Sequence, residues 1–256
     1  VESIQAITKD DLYTCYDTFY HPSNMTLFVI GALEPEEMLT LIRSNQEARS
    51  CKRRDEVVHP IQEETLQVAV KDKTIEMDVF KPKFTIGLKL PAQGLKGAAY
   101  LKRELAVQLG MDLLYGTKSD FYDALYDQGV IDESFGYDFT LEHTFSFATI
   151  GTDTEDAEAF KEAVFSTYEQ LESIVQEEAL ELLKRRKIGQ FIRALNSPEF
   201  IANQFTHYTF HEVDFFSHIE VYESLTTQDI IEAMQSFIQE DNVTTLKIIP
   251  NGSQND

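Results

Sequence analysis

Hydrophobic positions near the start of the chain recur at helical spacing. Leu12, Tyr16, Phe19 and Tyr20 follow Thr8, and Asp11 stands three residues after that threonine. A threonine N-cap answered by a carboxylate at the third helical position satisfies free amides of the first turn, so the spacing predicts a capped helix. Cys15 falls in the same stripe and reads as a small core residue. Pro22 stops the helix, and the apolar run Met25 to Ile30 predicts a short, fully buried strand. Pro35, with Glu34, Glu36 and Glu37 around the positive helix end, starts a second helix with Met38, Leu41 and Ile42 inward. Residues 45–63 hold no period and carry Lys52, Arg53, Arg54, Asp55 and Pro60, which suits a linker.

Beyond the linker the period changes to two. Leu66, Val68 and Val70 alternate, then Ile75, Met77 and Val79, then Phe84, Ile86, Leu88 and Leu90, predicting three strands. A long helix follows through Leu101, Leu105 and Leu109. Another, capped by Ser119, turns Phe121, Leu125 and Tyr126 inward. Phe135, Tyr137, Phe139 and Leu141 predict a strand, with Phe145 to Ile150 as its hairpin partner. Thr152 to Glu155 opens a helix carrying Phe160, Val164, Tyr168 and Leu171. A further helix carries Leu180, Leu183, Ile188 and Phe191, and Ser197-Pro198 starts one more over residues 200–210. Strands in runs and helices in runs predict an α+β fold: a largely antiparallel sheet with helices packed on one face.

The opening pattern returns when shifted by 218 positions. Thr8 falls on Thr226, Asp11 on Asp229, Phe19 on Phe237, Asn24 on Asn242, Thr26 on Thr244 and Ile30 on Ile248. Average composition would give roughly one or two such identities over this stretch. A unit of this length is a whole domain, so the repeat predicts two copies of one fold. Residues 1–44 then form the C-terminal tail of one copy (helix, strand, helix). Residues 45–63 link it to the other copy at 64–250, with a tail at 251–256. The body of the first copy is absent, which makes the chain a piece of a longer protein.

Charge narrows the function. Lys plus Arg number 22 and Asp plus Glu 44, for a net charge of −22, which argues against a nucleic-acid or anionic-membrane surface. No apolar run reaches the ~18–20 residues of a membrane span, and no signal peptide is visible after Val1, so the chain reads as cytoplasmic. Two cysteines, Cys15 and Cys51, have no zinc-finger spacing.

Six histidines occur: His21, His59, His143, His207, His211 and His218. His207 and His211 have the i, i+4 spacing that sets two imidazoles on one helix face, and Glu212 and Asp214 could add oxygen ligands. A hydrolytic zinc site of this kind also needs a glutamate to activate water, and neither HExxH nor HxxEH occurs; Glu142-His143 is half of such a motif in a predicted hairpin. There is no GxSxG and no phosphate-cradling glycine loop. No catalytic, cofactor-binding or metal-binding residue is assigned.

Ser3-Ile4, Ile7-Thr8, Asp11-Leu12, Phe19 to Met25, Leu27 to Gly31 and Glu34 to Glu37 resemble the closing segment of the catalytic domain of the insulinase/pitrilysin family. These are the inverted-motif zinc peptidases. Leu113 to Ser119 with Leu125 to Gly129, and Ala194 to Phe205, resemble the family's second domain, most closely in a bacterial cytosolic branch. The resemblance implies tandem α+β domains closing over an extended peptide. It places HxxEH, its distal glutamate and therefore the zinc upstream of Val1, so zinc belongs to the full-length protein and not to this chain. The Arg and Tyr, seven residues apart, with which some members contact the substrate backbone from a noncatalytic domain have no counterpart here. The expected partners are the missing N-terminal catalytic domain and a peptide substrate, with homo- or heterodimerisation left open. The runner-up is a noncatalytic structural or binding subunit homologous to such peptidases.

Overall fold

The computed structural model describes residues 2–49, 54, 57, 65–91, 94–235, 237–239 and 241–252. Its first elements are helices α1 (Glu2–Gln5), α2 (Lys9–Phe19) and α3 (Pro35–Ala48), then strands β1 (Asp72–Met77) and β2 (Lys83–Leu90). Helices α4 (Gly97–Tyr115) and α5 (Asp120–Asp127) precede the hairpin β3 (Gly136–Leu141) and β4 (Ser146–Asp153). Helices α6 (Ala157–Glu169), α7 (Leu171–Ile174), α8 (Glu177–Ala194) and α9 (Pro198–Phe210) follow. Helices α10 (His218–Ser224) and α11 (Thr227–Gln235) then lead to β5 (Val243–Pro250). Contacts divide the chain into two units, Val1–Ile61 with Leu195–His207 and Gln62–Ala194 with Tyr208–Asp256.

The second unit is α+β, built on a five-stranded sheet in the order β1-β5-β2-β4-β3. Alternation on β2 drives Phe84, Ile86, Leu88 and Leu90 to 5% exposure or less. β2 pairs antiparallel with β4 and β5, and β4 pairs antiparallel with β3. The pairing of β1 with β5 is parallel, with Asp72 opposite Thr245. β1 is an edge strand, and its exposed Asp72, Lys73 and Glu76 oppose edge-to-edge association.

Helix α4 is the centre of the core. Tyr100, Leu101, Leu105, Leu109, Leu114 and Tyr115 are exposed by 1% or less, and each buried leucine contributes roughly 2 kcal/mol. α4 packs against α8, α10 and α11. Gly110 sets the closest approach of α11: a Cβ there would stand 2.5 Å from Sδ of the fully buried Met234.

Several expectations shift. Residues 66–70 form no strand: the Val68 amide donates to Asp241 O at 2.9 Å and the Val70 carbonyl accepts from the Thr244 hydroxyl, so the chain is held against the start of β5 but bends before a ladder forms. β4 runs on to Asp153, and α6 starts only after the N-cap Asp156, because Thr152 and Asp153 still pair with Phe84 and Lys83. Tyr126 is 45% exposed, not inward; it stacks on Tyr122 across one helical turn at 5.6 Å. α10, which carries no long apolar period, was not anticipated.

In the first unit α2 begins as its sequence predicts. The Thr8 amide and hydroxyl both donate to Asp11 Oδ2, at 2.8 and 2.7 Å, and the Asp11 amide returns to Thr8 Oγ1 at 3.2 Å. Asn24 Nδ2 then donates to Phe19 O at 3.0 Å. The second unit repeats this network 218 positions on. Thr226 bonds Asp229 Oδ2 at 2.9 and 2.7 Å, the Asp229 amide returns at 3.3 Å, and Asn242 Nδ2 donates to Phe237 O at 2.8 Å.

Burial is opposite in the two copies. Ile230, Ala233, Met234, Phe237 and Asn242 are exposed by 4% or less. Their counterparts Leu12, Tyr16 and Phe19 are 62%, 57% and 39% exposed, and Cys15 and Asn24 are exposed as well. Cys15 is therefore not a core residue here: no described residue covers its stripe. For the same reason Met25 to Ile30 is neither a strand nor buried. No ladder partner exists for it among the described residues, and Met25 and Leu27 are 58% and 66% exposed. α3 extends to Ala48, so residues 45–48 are helical rather than linker. Cys51, Lys52, Arg53, Asp55, His59, Pro60 and residues 253–256 lie outside the described residues.

Candidate functional site

The most polar part of the second unit's interior lies between α4, the end of α9, α10 and the β3–β4 turn. α4 supplies Tyr100 and Glu104 one turn apart on one face. The Tyr208 hydroxyl, near the end of α9, donates to Glu104 Oε2 at 2.8 Å. The Tyr100 hydroxyl donates to Leu141 O at 2.9 Å, and the Tyr100 ring stacks on His211 at 4.1 Å. His211 Nε2 stands 3.7 Å from Glu142 Oε2.

Helix α9 stops before His211 by a Schellman turn. The Val213 amide donates to Tyr208 O and the Glu212 amide to Thr209 O, while Glu212 takes φ of 58°. The expected shared helical face for His207 and His211 is therefore absent: His207 is on the helix and His211 in the turn after it. Glu212, also a candidate ligand, pairs with Lys96 at 2.5 Å, and Asp214 caps the turn at Phe216. Lys96 precedes Gly97, whose amide donates to His211 O at 2.8 Å, so the start of α4 fixes the turn.

Two further described histidines, His218 and His21, have structural roles. His218 is 4% exposed, engages Phe215 O through Nδ1 at 2.6 Å and stacks on Phe191; burial lowers its pKa. His21 Nδ1 accepts the Ser23 amide and caps the short turn Pro22–Asn24. His143 sits with Glu142 in the hairpin turn, where the sequence placed it.

Burial is the main electrostatic force at the site. It pushes the Glu104 carboxyl from 4.5 up to about 7; the Tyr208 hydrogen bond opposes the rise and the Glu142 charge adds to it. Burial, followed by the Glu104 charge, also raises the phenols of Tyr100, Tyr208 and Tyr222, which keeps them as donors. The arrangement can hold or release one proton near neutral pH. It presents no activated nucleophile. Among the described residues no three His, Cys, Asp or Glu side chains converge as a metal site, and the His211–Glu142 pair is two groups already in contact with each other. The described residues do not fit zinc.

Sequence reasoning found His211 and Glu142 but missed Tyr100, Glu104, Tyr208 and Tyr222. The available signal was a carboxylate at position 104 between Leu101 and Leu105, inside a largely apolar helix.

Comparison with known proteins now places the chain. Residues 6–187 match the family described as the peptidase M16 inactive domain, and the chain belongs to the M16 peptidase family. It is 41% identical over 250 residues to the uncharacterized zinc protease YmfH of Bacillus subtilis (strain 168), covering 98% of this chain and 58% of that protein. It also resembles the solved structure of an M16-like peptidase from Alicyclobacillus acidocaldarius, with a TM-score of 0.89 and 29% identity over 98% of this chain and 60% of that one. A protease from Helicobacter pylori shares the fold, with a TM-score of 0.83 and 19% identity over 97% of this chain and 60% of that one. The chain thus spans less than two thirds of the length of these relatives. Among the described residues no helix is long and apolar enough to cross a membrane.

Proposed function

We propose that this chain is the noncatalytic part of a two-part zinc peptidase, acting in the cytoplasm. In this reading residues 1–44 are the C-terminal tail of a catalytic-type domain, 45–63 connect, and 64–250 form a second domain that encloses an extended peptide while the first domain hydrolyses it. The zinc ligands lie outside this chain, and no residue here performs a catalytic step. The sheet, the buried Glu104 cluster and the α4 core supply a rigid wall and not chemistry.

One observation carries the reading. The Thr8–Asp11 and Asn24–Phe19 bonds repeat those of Thr226–Asp229 and Asn242–Phe237 to within 0.2 Å, yet one copy is buried and the other bare. A helix whose apolar stripe matches a buried one calls for a body like residues 72–225 to cover it. The name of the Bacillus subtilis relative, a zinc protease, agrees with this reading.

The test uses the gene product at its natural length with Cys51 changed to serine. The Cys15 thiol should react with a maleimide at least about a hundredfold more slowly than in the denatured protein, since covered thiols react only through opening. The preparation should also contain about one zinc per chain and cleave peptides until the metal is chelated. A freely reacting Cys15 overturns the domain assignment. A protected Cys15 without zinc or cleavage overturns the peptidase reading and favours the noncatalytic subunit.

A further inference from the structure

Away from the Glu104 cluster, the second unit carries an open groove of about 810 Å³ between the end of α4, the start of α5 and the stretch from α7 into α8. Apolar side chains line it, including Leu113, Ile174 and Leu182, and Leu182 is 71% exposed. An isolated exposed leucine needs no explanation, but one inside a concave apolar lining is a candidate contact. The turn beside it is tightly built. The Gly116 amide donates to Asp112 O at 3.0 Å, and a Cβ at Gly116 would stand 2.4 Å from that oxygen, so no side chain from 116 projects into the groove.

The rim is cationic, in a chain of net charge −22. Lys184 to Lys187 is the longest run of Lys and Arg in the sequence. Its four members divide by position. Lys184 turns inward and donates to Glu181, Glu223 O and Leu225 O. Lys187 and Arg186 pair with Asp112 at 2.7 and 3.4 Å, and Tyr137 donates to the same carboxylate at 2.7 Å. Asp112 is thereby neutralised. Arg185, which feels the charge of Glu181 one turn back on α8, and, from the α4–α5 turn, Lys118 are exposed at the lip, with Asp120 as the other carboxylate of the lining.

We propose that this groove docks an acidic peptide segment, with an aliphatic side chain against Leu182 and carboxylates facing Arg185 and Lys118. Charge complementarity selects the occupant. The acidic remainder of the surface repels such a segment, while at physiological salt the attraction of the lip acts within about 8 Å, so encounter is confined to this patch. The apolar lining adds what a bare cationic patch lacks, a reason to prefer a peptide over a simple anion. The proposal does not depend on the peptidase reading.

The probe is a fluorescein-labelled heptapeptide, Asp-Leu-Glu-Leu-Asp-Leu-Glu, titrated with this chain and followed by fluorescence anisotropy. Saturable binding is expected. Arg185→Glu and Lys118→Glu should each weaken it by about tenfold, Leu182→Asp should do the same, and a peptide with Asn and Gln for the acids should bind at least tenfold more weakly. All three positions are exposed, and Arg185→Gln provides a milder change should a reversal of charge disturb folding. No saturable binding, equal binding by the uncharged peptide, or unchanged affinity in the variants overturns the proposal. Displacement by inorganic phosphate at the same concentration as by unlabelled peptide also overturns it, since the groove would then be a plain anion site.

Discussion

Replacing Glu104 by glutamine should make the protein more stable at neutral and alkaline pH. Burial raises the carboxyl from 4.5 to about 7, so the folded state binds this proton more tightly than the unfolded chain does. Its contribution is therefore largest at low pH, falls as pH rises through that interval, and is flat above it. At about 1.4 kcal/mol per pKa unit the full penalty is about 3 kcal/mol, of which about 2 kcal/mol falls between about pH 5.5 and about pH 8.5. Glutamine cannot ionise, and its amide oxygen can still accept the Tyr208 hydroxyl that bonds Glu104 at 2.8 Å. Urea unfolding followed by circular dichroism would give stability against pH for both proteins, above the pI of about 4.6. The variant should gain about 1 kcal/mol at the acid end of the range and about 3 kcal/mol at the alkaline end. Two parallel curves would refute the assignment of a raised carboxyl to this position.

Three further substitutions probe the frame by urea or thermal unfolding. Asn242→Ala removes a 1%-exposed amide bonded to Phe237 O, Lys89 O and the Gln239 amide, and should cost about 3 kcal/mol, whereas Asn24→Ala at the exposed counterpart should cost under about 1 kcal/mol in this chain. Lys184→Met strips the inward amine from Glu223 O and Leu225 O, leaving the end of α10 without its donor, at about 2–3 kcal/mol. Gly110→Ala drives a methyl against Met234 and should cost about 1–3 kcal/mol, with Met234→Ala partly restoring stability when added.

The sheet was legible where one face is buried. On β2 the apolar period sets the inward positions, whereas on β4 the inward face is Ser146, Ala148, Ile150 and Thr152 and Phe147 is 39% exposed, so apolar residues alone did not mark its buried side. Periodicity does not carry strand direction, so the parallel pairing of β1 with β5 had no signature before both strands were placed. The capping residues Thr8, Ser119 and Thr226 were readable because a cap is a local contact. Their burial was not, since exposure depends on what covers a stripe and not on the stripe itself. Of the candidate site, His211 and Glu142 stood out as residue types. Tyr100 and Tyr208 did not, because a tyrosine on an apolar helix face reads as core until its hydroxyl finds a partner, and the Schellman turn that carries His211 off α9 uses a glutamate where glycine would have announced it.

The position of β5 also bears on biosynthesis. It is translated after the other four strands of the sheet, yet it lies between β1 and β2 and bonds to both. While residues 243–250 are still inside the ribosomal tunnel, β1 has no neighbour and one flank of β2 is open, so the sheet cannot close during elongation. Nascent chains stalled just short of these residues should therefore be far more sensitive to protease than released ones, and a nonsense codon there would leave a lobe that cannot mature.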